Sequence, residues 1–200
     1  SQNFVDRQMV SVLTDDAGEF SAGAAGDGAI VIDHGGDYLC ASFGVSDTSL
    51  GDHTGGGMRH EAASAIAQQA GGCFVIKVSE DACGCADRPI PGAMMDVFDR
   101  RKMAVKVPIH SSRLHAELAS ALGRELSPVE TAAVSLARDL AIKGAGEKQA
   151  LHGLCLIVGD GKEVLKCGKI KKKSQNFVDR PNVSILEDDP GEFSAGAAGD

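Results

Sequence analysis

GDGAIVIDHGGDYLCAS, residues 26–42, is the stretch from which the rest of the chain can be laid out. Residues 29–32 form a short apolar run and read as a buried strand. Residues 34–37 are a turn of Gly and Asp, and 38–42 are the return strand of a hairpin. Residues 45–57 form a loop rich in Gly, Asp, Ser and Thr. A helix is expected over 58–70, where Ala62, Ala63, Ile66 and Ala67 recur at helical spacing and make a narrow apolar face. Gly71 and Gly72 end it. Residues 73–78 are the next buried strand, and 81–91 are irregular around Pro89 and Pro91. Residues 94–107 read as a short helix followed by a strand over 103–107. Two helices follow. The first covers 112–122 and ends at Gly123. The second covers 129–143, with Ser127 as N-cap, Pro128 in the first helical position and Gly144 past its end. Residues 151–158 are a strand, Asp160 and Gly161 a hairpin turn, and 163–167 the return strand. Strands alternating with helices specify an α/β fold with a central mixed β-sheet flanked by helices.

The chain also repeats itself. Residues 1–27 and 174–200 match at 22 of 27 positions, at an offset of 173 residues. The reading is one domain over 1–173, followed by the start of a next repeat over 174–200 that is available for exchange with a neighbour. The basic segment 169–173 reads as a solvated joint between units.

A 173-residue unit is of ordinary domain size, and 43% apolar residues are enough for a core. With no Trp and a single Tyr (Tyr38), that core must be aliphatic and rich in alanine. A net charge of −8 argues against nucleic acid or anionic membrane as partner. No apolar run approaches the length of a membrane span, and the first residues lack the pattern of a signal peptide. The cysteines lie mostly in strand-like runs and read as free buried thiols. One CxC pair, Cys83 and Cys85, is weak evidence for zinc. Together these features point to the cytoplasm. His34, His53, His110, His115 and His152 show no metal-ligand spacing and read as surface or loop residues.

Chemistry concentrates between residues 26 and 85. Asp27 stands at the mouth of a buried strand, where a carboxylate can hold a divalent metal or accept a proton. Gly55, Gly56 and Gly57 open a helix whose first-turn amides attract phosphate. Arg59 and His60 add charge and a donor on that turn. Glu80 and Asp81 follow another strand, and ligands in open α/β sheets gather beyond such ends.

These segments resemble the diadenylate cyclase family, which condenses two ATP into cyclic di-AMP. The family has a DGA motif at a strand, a GTRHRAA motif opening a helix some thirty residues later, and a VSEE-like strand end after that. Here they stand as Asp27-Gly28-Ala29, Gly57-Met58-Arg59-His60-Glu61-Ala62-Ala63 and Val78-Ser79-Glu80-Asp81. The resemblance implies a diadenylate-cyclase-like fold in permuted order, with 110–173 preceding 1–109 in the family's arrangement. It implies catalytic roles for Asp27, His60 and Glu80, and nucleotide contacts from Gly28, Ala29, Gly57, Met58, Arg59, Glu61 and Ser79. It implies a metal, Mg or Mn brought with ATP, on Asp27 and His60. Adenine nucleotide and a neighbouring unit or second copy are the implied partners.

Met58 replaces the family's threonine, and Glu61 replaces the second arginine of its RHR triplet. At about 5 Å and an effective dielectric near 20, each unit of charge is worth roughly 3 kcal/mol against a phosphate. The two-unit change at Glu61 therefore costs on the order of 5 kcal/mol, more than a thousandfold in binding or rate. This predicts nucleotide binding with catalysis weakened or lost. The alternative expectation is a structural repeat that assembles head to tail into a polymer without enzymatic activity.

Overall fold

The computed structural model describes residues 10–24, 28–53, 57–79, 93–100, 104–143 and 153–171. In chain order the elements are α1 (Ala17–Ala24), β1 (Ala29–Asp33), β2 (Tyr38–Val45), α2 (Gly57–Gln69), β3 (Phe74–Val78), β4 (Met94–Asp99), β5 (Val105–Pro108), α3 (Leu114–Leu122), α4 (Pro128–Lys143), β6 (Leu154–Gly159), α5 (Gly161–Lys166) and β7 (Gly168–Ile170). The strands form one seven-stranded mixed sheet in the order β5-β4-β3-β6-β1-β2-β7. β6 runs parallel to β1, with Ile30 opposite Leu156, and antiparallel to β3, with Val78 opposite Leu154. The expected α/β architecture, a mixed sheet flanked by helices, is present.

Strand periodicity assigns each face to its own core. Ile30 and Ile32 of β1, Ile76 of β3 and Leu156 of β6 pack with Phe20 of α1, Leu118 of α3 and Ala137 of α4. The alternate residues, Val31, Val75 and Ile157, pack with Ile66 of α2 and Val164 of α5. Removing a fully buried Ile or Leu side chain from either core costs about 2–5 kcal/mol. Among the described residues no helix is long and apolar enough to cross a membrane.

Three segments differ from expectation. Residues 94–99 form strand β4 instead of a helix, because Met95 and Val97 face one core while Asp96 and Phe98 face the other layer. The 163–167 segment is part of helix α5, not a return strand. Asp160 caps it, its Oδ1 accepting from the amides of Lys162 (2.9 Å) and Glu163 (3.1 Å). The sheet is extended instead by β7, which pairs with the outer side of β2. The Gly/Ala-rich segment after Asp16 is helix α1, which packs on α4, β1 and β2. Just before it, the Val10 carbonyl accepts from the Tyr38 amide (2.9 Å), and the Val12 amide donates to the Gly36 carbonyl (2.8 Å).

The other helix ends follow the sequence closely. Gly123 closes α3 in the left-handed conformation, φ 71°. Ser127 and Glu130 form a reciprocal capping box at α4. The Ser127 Oγ accepts from the Glu130 amide (3.2 Å), and Glu130 Oε2 accepts from the Ser127 amide (2.7 Å). Arg124 joins this cap to the sheet. It donates to Asp99 Oδ2 at the end of β4 (2.8 Å) and to both Glu130 oxygens (2.6 and 2.8 Å). Its guanidinium also lies over the Phe74 ring, 5.9 Å from the centroid.

Burial pushes the Glu130 carboxyl up, but hydrogen bonds from Arg124 and the Ser127 amide outweigh it and hold the group below its ordinary value. Such a carboxyl stabilises the fold above its unfolded value, about 4.3, and the contribution is lost as pH falls through the lower folded value. Resistance to urea is therefore expected to decline from about pH 5 downward. Glu130→Gln should show a shallower decline over that window, and at pH 7 it should be less stable by about 1–3 kcal/mol.

Cys40, Cys73, Cys155 and Cys167 are free thiols, whereas Cys83 and Cys85 lie outside the described residues. Burial pushes the Cys40 and Cys73 thiols up to about 12, with nearby Cys155 and Cys167 adding to the shift at Cys73. At pH 8 both should resist alkylation in the native protein and react fully once denatured, as read by mass spectrometry of labelled peptides.

Candidate functional site

The register brings one set of strand ends together. The start of β1 at Ala29, the start of β6 at Leu154, the end of β3 at Val78 and the start of β4 at Met94 all lie at the same end of the sheet. Gly28 stands there with φ 132°, its backbone against that of Ser42, so a Cβ would come within 2.6 Å of the Ser42 carbonyl carbon. Only glycine fits this approach. Ser42 itself has a positive φ of 56°, and β1 and β2 slip register at this point.

Helix α2 delivers its first turn to the same end. The Arg59 guanidinium lies against Gly153, just before β6. A Cβ on Gly153 would sit 2.8 Å from Arg59 Nη1 and 3.2 Å from the Val78 carbonyl oxygen. Gly153, φ 94°, thus leaves the space that the guanidinium occupies between β6 and β3. Gly57 and Met58 are exposed on the outer side of that turn, Met58 at 85%. Glu61 is half-buried, with Oε1 3.5 Å from His53 Nδ1. Gly28, Ala29, Arg59 and Ser79 therefore lie at one end of the sheet. Asp27, Glu80 and Asp81 lie outside the described residues, as do Gly55 and Gly56.

His60 is buried among charged groups. Its Nε2 is 3.3 Å from Asp52 Oδ2, its Nδ1 is 3.6 Å from Asp96 Oδ2, and its ring meets Phe98 edge-on at 5.1 Å. Asp96 Oδ2 also accepts from Lys77 Nζ (3.0 Å), which in turn donates to Ser79 Oγ (2.7 Å). Lys77 faces Asp96 directly across β3 and β4, and faces Cys155 across β3 and β6. The sheet thus carries a row of polar side chains under the start of α2. Burial pushes the Cys155 thiol up to about 12, against the opposing pull of the positive charges on Arg59 and Lys77.

Asp52 reaches His60 because the loop before α2 is fastened along that helix. Ser64 Oγ accepts from the Asp52 amide (3.0 Å), Gln68 Nε2 donates to the Leu50 carbonyl (2.6 Å), and Gln69 Nε2 donates to the Asp47 carbonyl (2.5 Å). Gly51 lies so close to the Glu61 carbonyl that a side chain would not fit. The polar side of α2 is used to hold this loop.

No family model, no curated protein and no solved structure matches the chain. The site must therefore be judged on its own chemistry.

That chemistry is cationic at Arg59 and charge-paired beneath. Arg59 and the first-turn amides of α2 stand at the strand ends, while Asp52, His60, Asp96 and Lys77 form the layer under them. As the expected metal ligand, His60 turns both ring nitrogens toward carboxylates. Among the described residues no cluster of three or more His, Cys, Asp or Glu is arranged to hold a metal ion, and the expected ligand Asp27 lies outside them. Asp52, Lys77, Asp96 and Gly153 were not anticipated. The available signal was a Lys and an Asp standing inside otherwise apolar strands, FVIKV and MMDVFD.

Removing one member of a buried ion pair leaves the other without its charge partner. Asp96→Ala is expected to lower stability by about 3–5 kcal/mol in urea unfolding. The paired replacement Lys77→Met with Asp96→Leu should restore most of that loss. A double variant as unstable as the single one would show that the pair is not what makes Asp96 indispensable.

Proposed function

We propose that this chain is a diadenylate-cyclase-like domain that binds adenine nucleotide, ATP or cyclic di-AMP, at the sheet end bearing Gly28, Ala29, Arg59 and Ser79. One observation carries the reading: the Arg59 guanidinium, seated against Gly153 between β3 and β6, shares that end with the tight glycine approach before β1. In this reading Gly28, which must be glycine to clear the Ser42 backbone, sets the start of β1 beside the nucleotide. Arg59 and the first-turn amides of α2 receive phosphate. The ion-paired layer under α2 keeps that helix start in place.

Glu61 stands where the family has a second phosphate-facing arginine, and its carboxylate is directed toward His53. Binding is thereby retained better than turnover. Condensing two ATP also requires two such ends to face one another, so a second unit or second copy is the partner for any catalysis. Mg or Mn would enter with the triphosphate, Asp27 being the residue to hold it. A cytoplasmic location, where ATP is abundant, accompanies this reading.

Calorimetric titration with ATP and with cyclic di-AMP tests it. Binding is expected in the micromolar range, and Arg59→Ala should weaken it at least tenfold, the loss of one charge-assisted contact of about 1.5–3 kcal/mol. Chromatography after incubation with ATP and manganese should show little cyclic dinucleotide from the wild type and more from Glu61→Arg. No heat of binding for either nucleotide at millimolar concentration would refute the proposal.

A further inference from the structure

Residues 10–20 fill a groove at the turn between β1 and β2. Ser11 bridges to Asp37, its Oγ donating to the Gly36 carbonyl (3.2 Å), and its amide donates to Asp15 Oδ2 (2.7 Å). Phe20 is 1% exposed and meets the Tyr38 ring edge-on at 6.0 Å. The chain carries a second version of this segment. Val183, Ser184, Leu186, Asp188 and Phe193 are identical to their counterparts in the first. Val12, which is buried, becomes Ile185, a conservative apolar exchange. Ala17, the first residue of α1, becomes Pro190. Proline suits the first position of a helix, where its fixed φ is already helical and no amide is required. Exposed Thr14 becomes Glu187, which removes one surface hydrogen bond, from Thr14 Oγ1 to Asp15 Oδ2 (3.0 Å); the differences otherwise leave the second version as fit for the groove as the first.

Reach permits the exchange. Lys171, the last described residue, donates its amide to the Ser42 carbonyl on β2 (3.0 Å). From there Val183 needs to arrive beside Tyr38, four residues back along the same strand, a distance of about 13 Å. The intervening chain can span roughly 40 Å. A tether of this length gives an effective concentration in the millimolar range, so at micromolar protein the chain's own second segment outcompetes that of another molecule.

We propose that residues 183–197 are a second occupant of this groove, exchanging with residues 10–24 of the same chain. Whichever copy is outside is held ready on its tether. The groove is therefore served either by a segment that precedes β1 or by one that follows β7.

Melting of the full-length chain and of Phe20→Ala, Phe193→Ala and the double variant tests this. Each single variant is expected to melt within about 2 °C of the wild type, because the intact copy takes the groove. The double variant should fall by roughly 10 °C. If Phe20→Ala alone falls as far as the double, or the double melts with the singles, the proposal is wrong. Should the double fail to fold, Phe20→Ala decides: a cooperative melt near the wild type supports the exchange, and a lowered one overturns it. Light scattering of Phe20→Ala at micromolar concentration should give a monomer. A dimer would assign the segment to a second molecule and overturn the same-chain exchange.

Discussion

Everything in the sheet depends on where β6 inserts. It lies between β1 and β3, parallel to one and antiparallel to the other. Without it the β1–β2 hairpin and the β3–β4–β5 meander share no backbone hydrogen bonds. With it, Leu156 and Ile157 enter opposite cores and join the α1–α3–α4 layer to the α2–α5 layer through one strand. Gly153, immediately before it, positions the site as well, because the Arg59 guanidinium occupies the space a side chain there would fill.

The polar layer under α2 is the second organising feature. Charges that leave water cost several kcal/mol each unless paired in good geometry. Here one carboxylate oxygen, Asp96 Oδ2, faces both Lys77 and His60, and Asp52 closes the far side of the imidazole. Apolar residues of the same size would hold β3 and β4 together equally well. What the charges add is direction. They fix the His60 ring, and with it the turn that bears Arg59, at one place over the strand ends.

Much of this was legible along the chain, for local reasons. β1 and β3 are short apolar runs rich in β-branched residues, and β6 is a short apolar run. α3 and α4 carry their own punctuation in Gly123, Ser127 and Pro128. β4 was misread because Asp96 interrupts its apolar run, and the residue that justifies that aspartate, Lys77, stands 19 positions earlier. α5 was misread because an Asp-Gly pair suits a hairpin turn and a helix cap alike. α1 was overlooked because its Gly and Ala residues give little periodic signal. At the site, the motifs of the family resemblance drew attention to Gly28 and Arg59, which share one end of the sheet. The partners of His60 became visible only once strands distant in sequence were side by side.

The position of β6 has a consequence for how the molecule is born. Roughly 120 residues separate it from β1, the strand it pairs with in parallel. While the chain emerges from the ribosome, the hairpin and the meander each present a bare inner edge to the cell, and neither can satisfy the other. Pairings this distant form slowly, since a long loop must close before any contact repays it. The newly made protein thus passes through an interval in which two sticky half-sheets await one strand, and chaperones that shield such edges would have their principal task there.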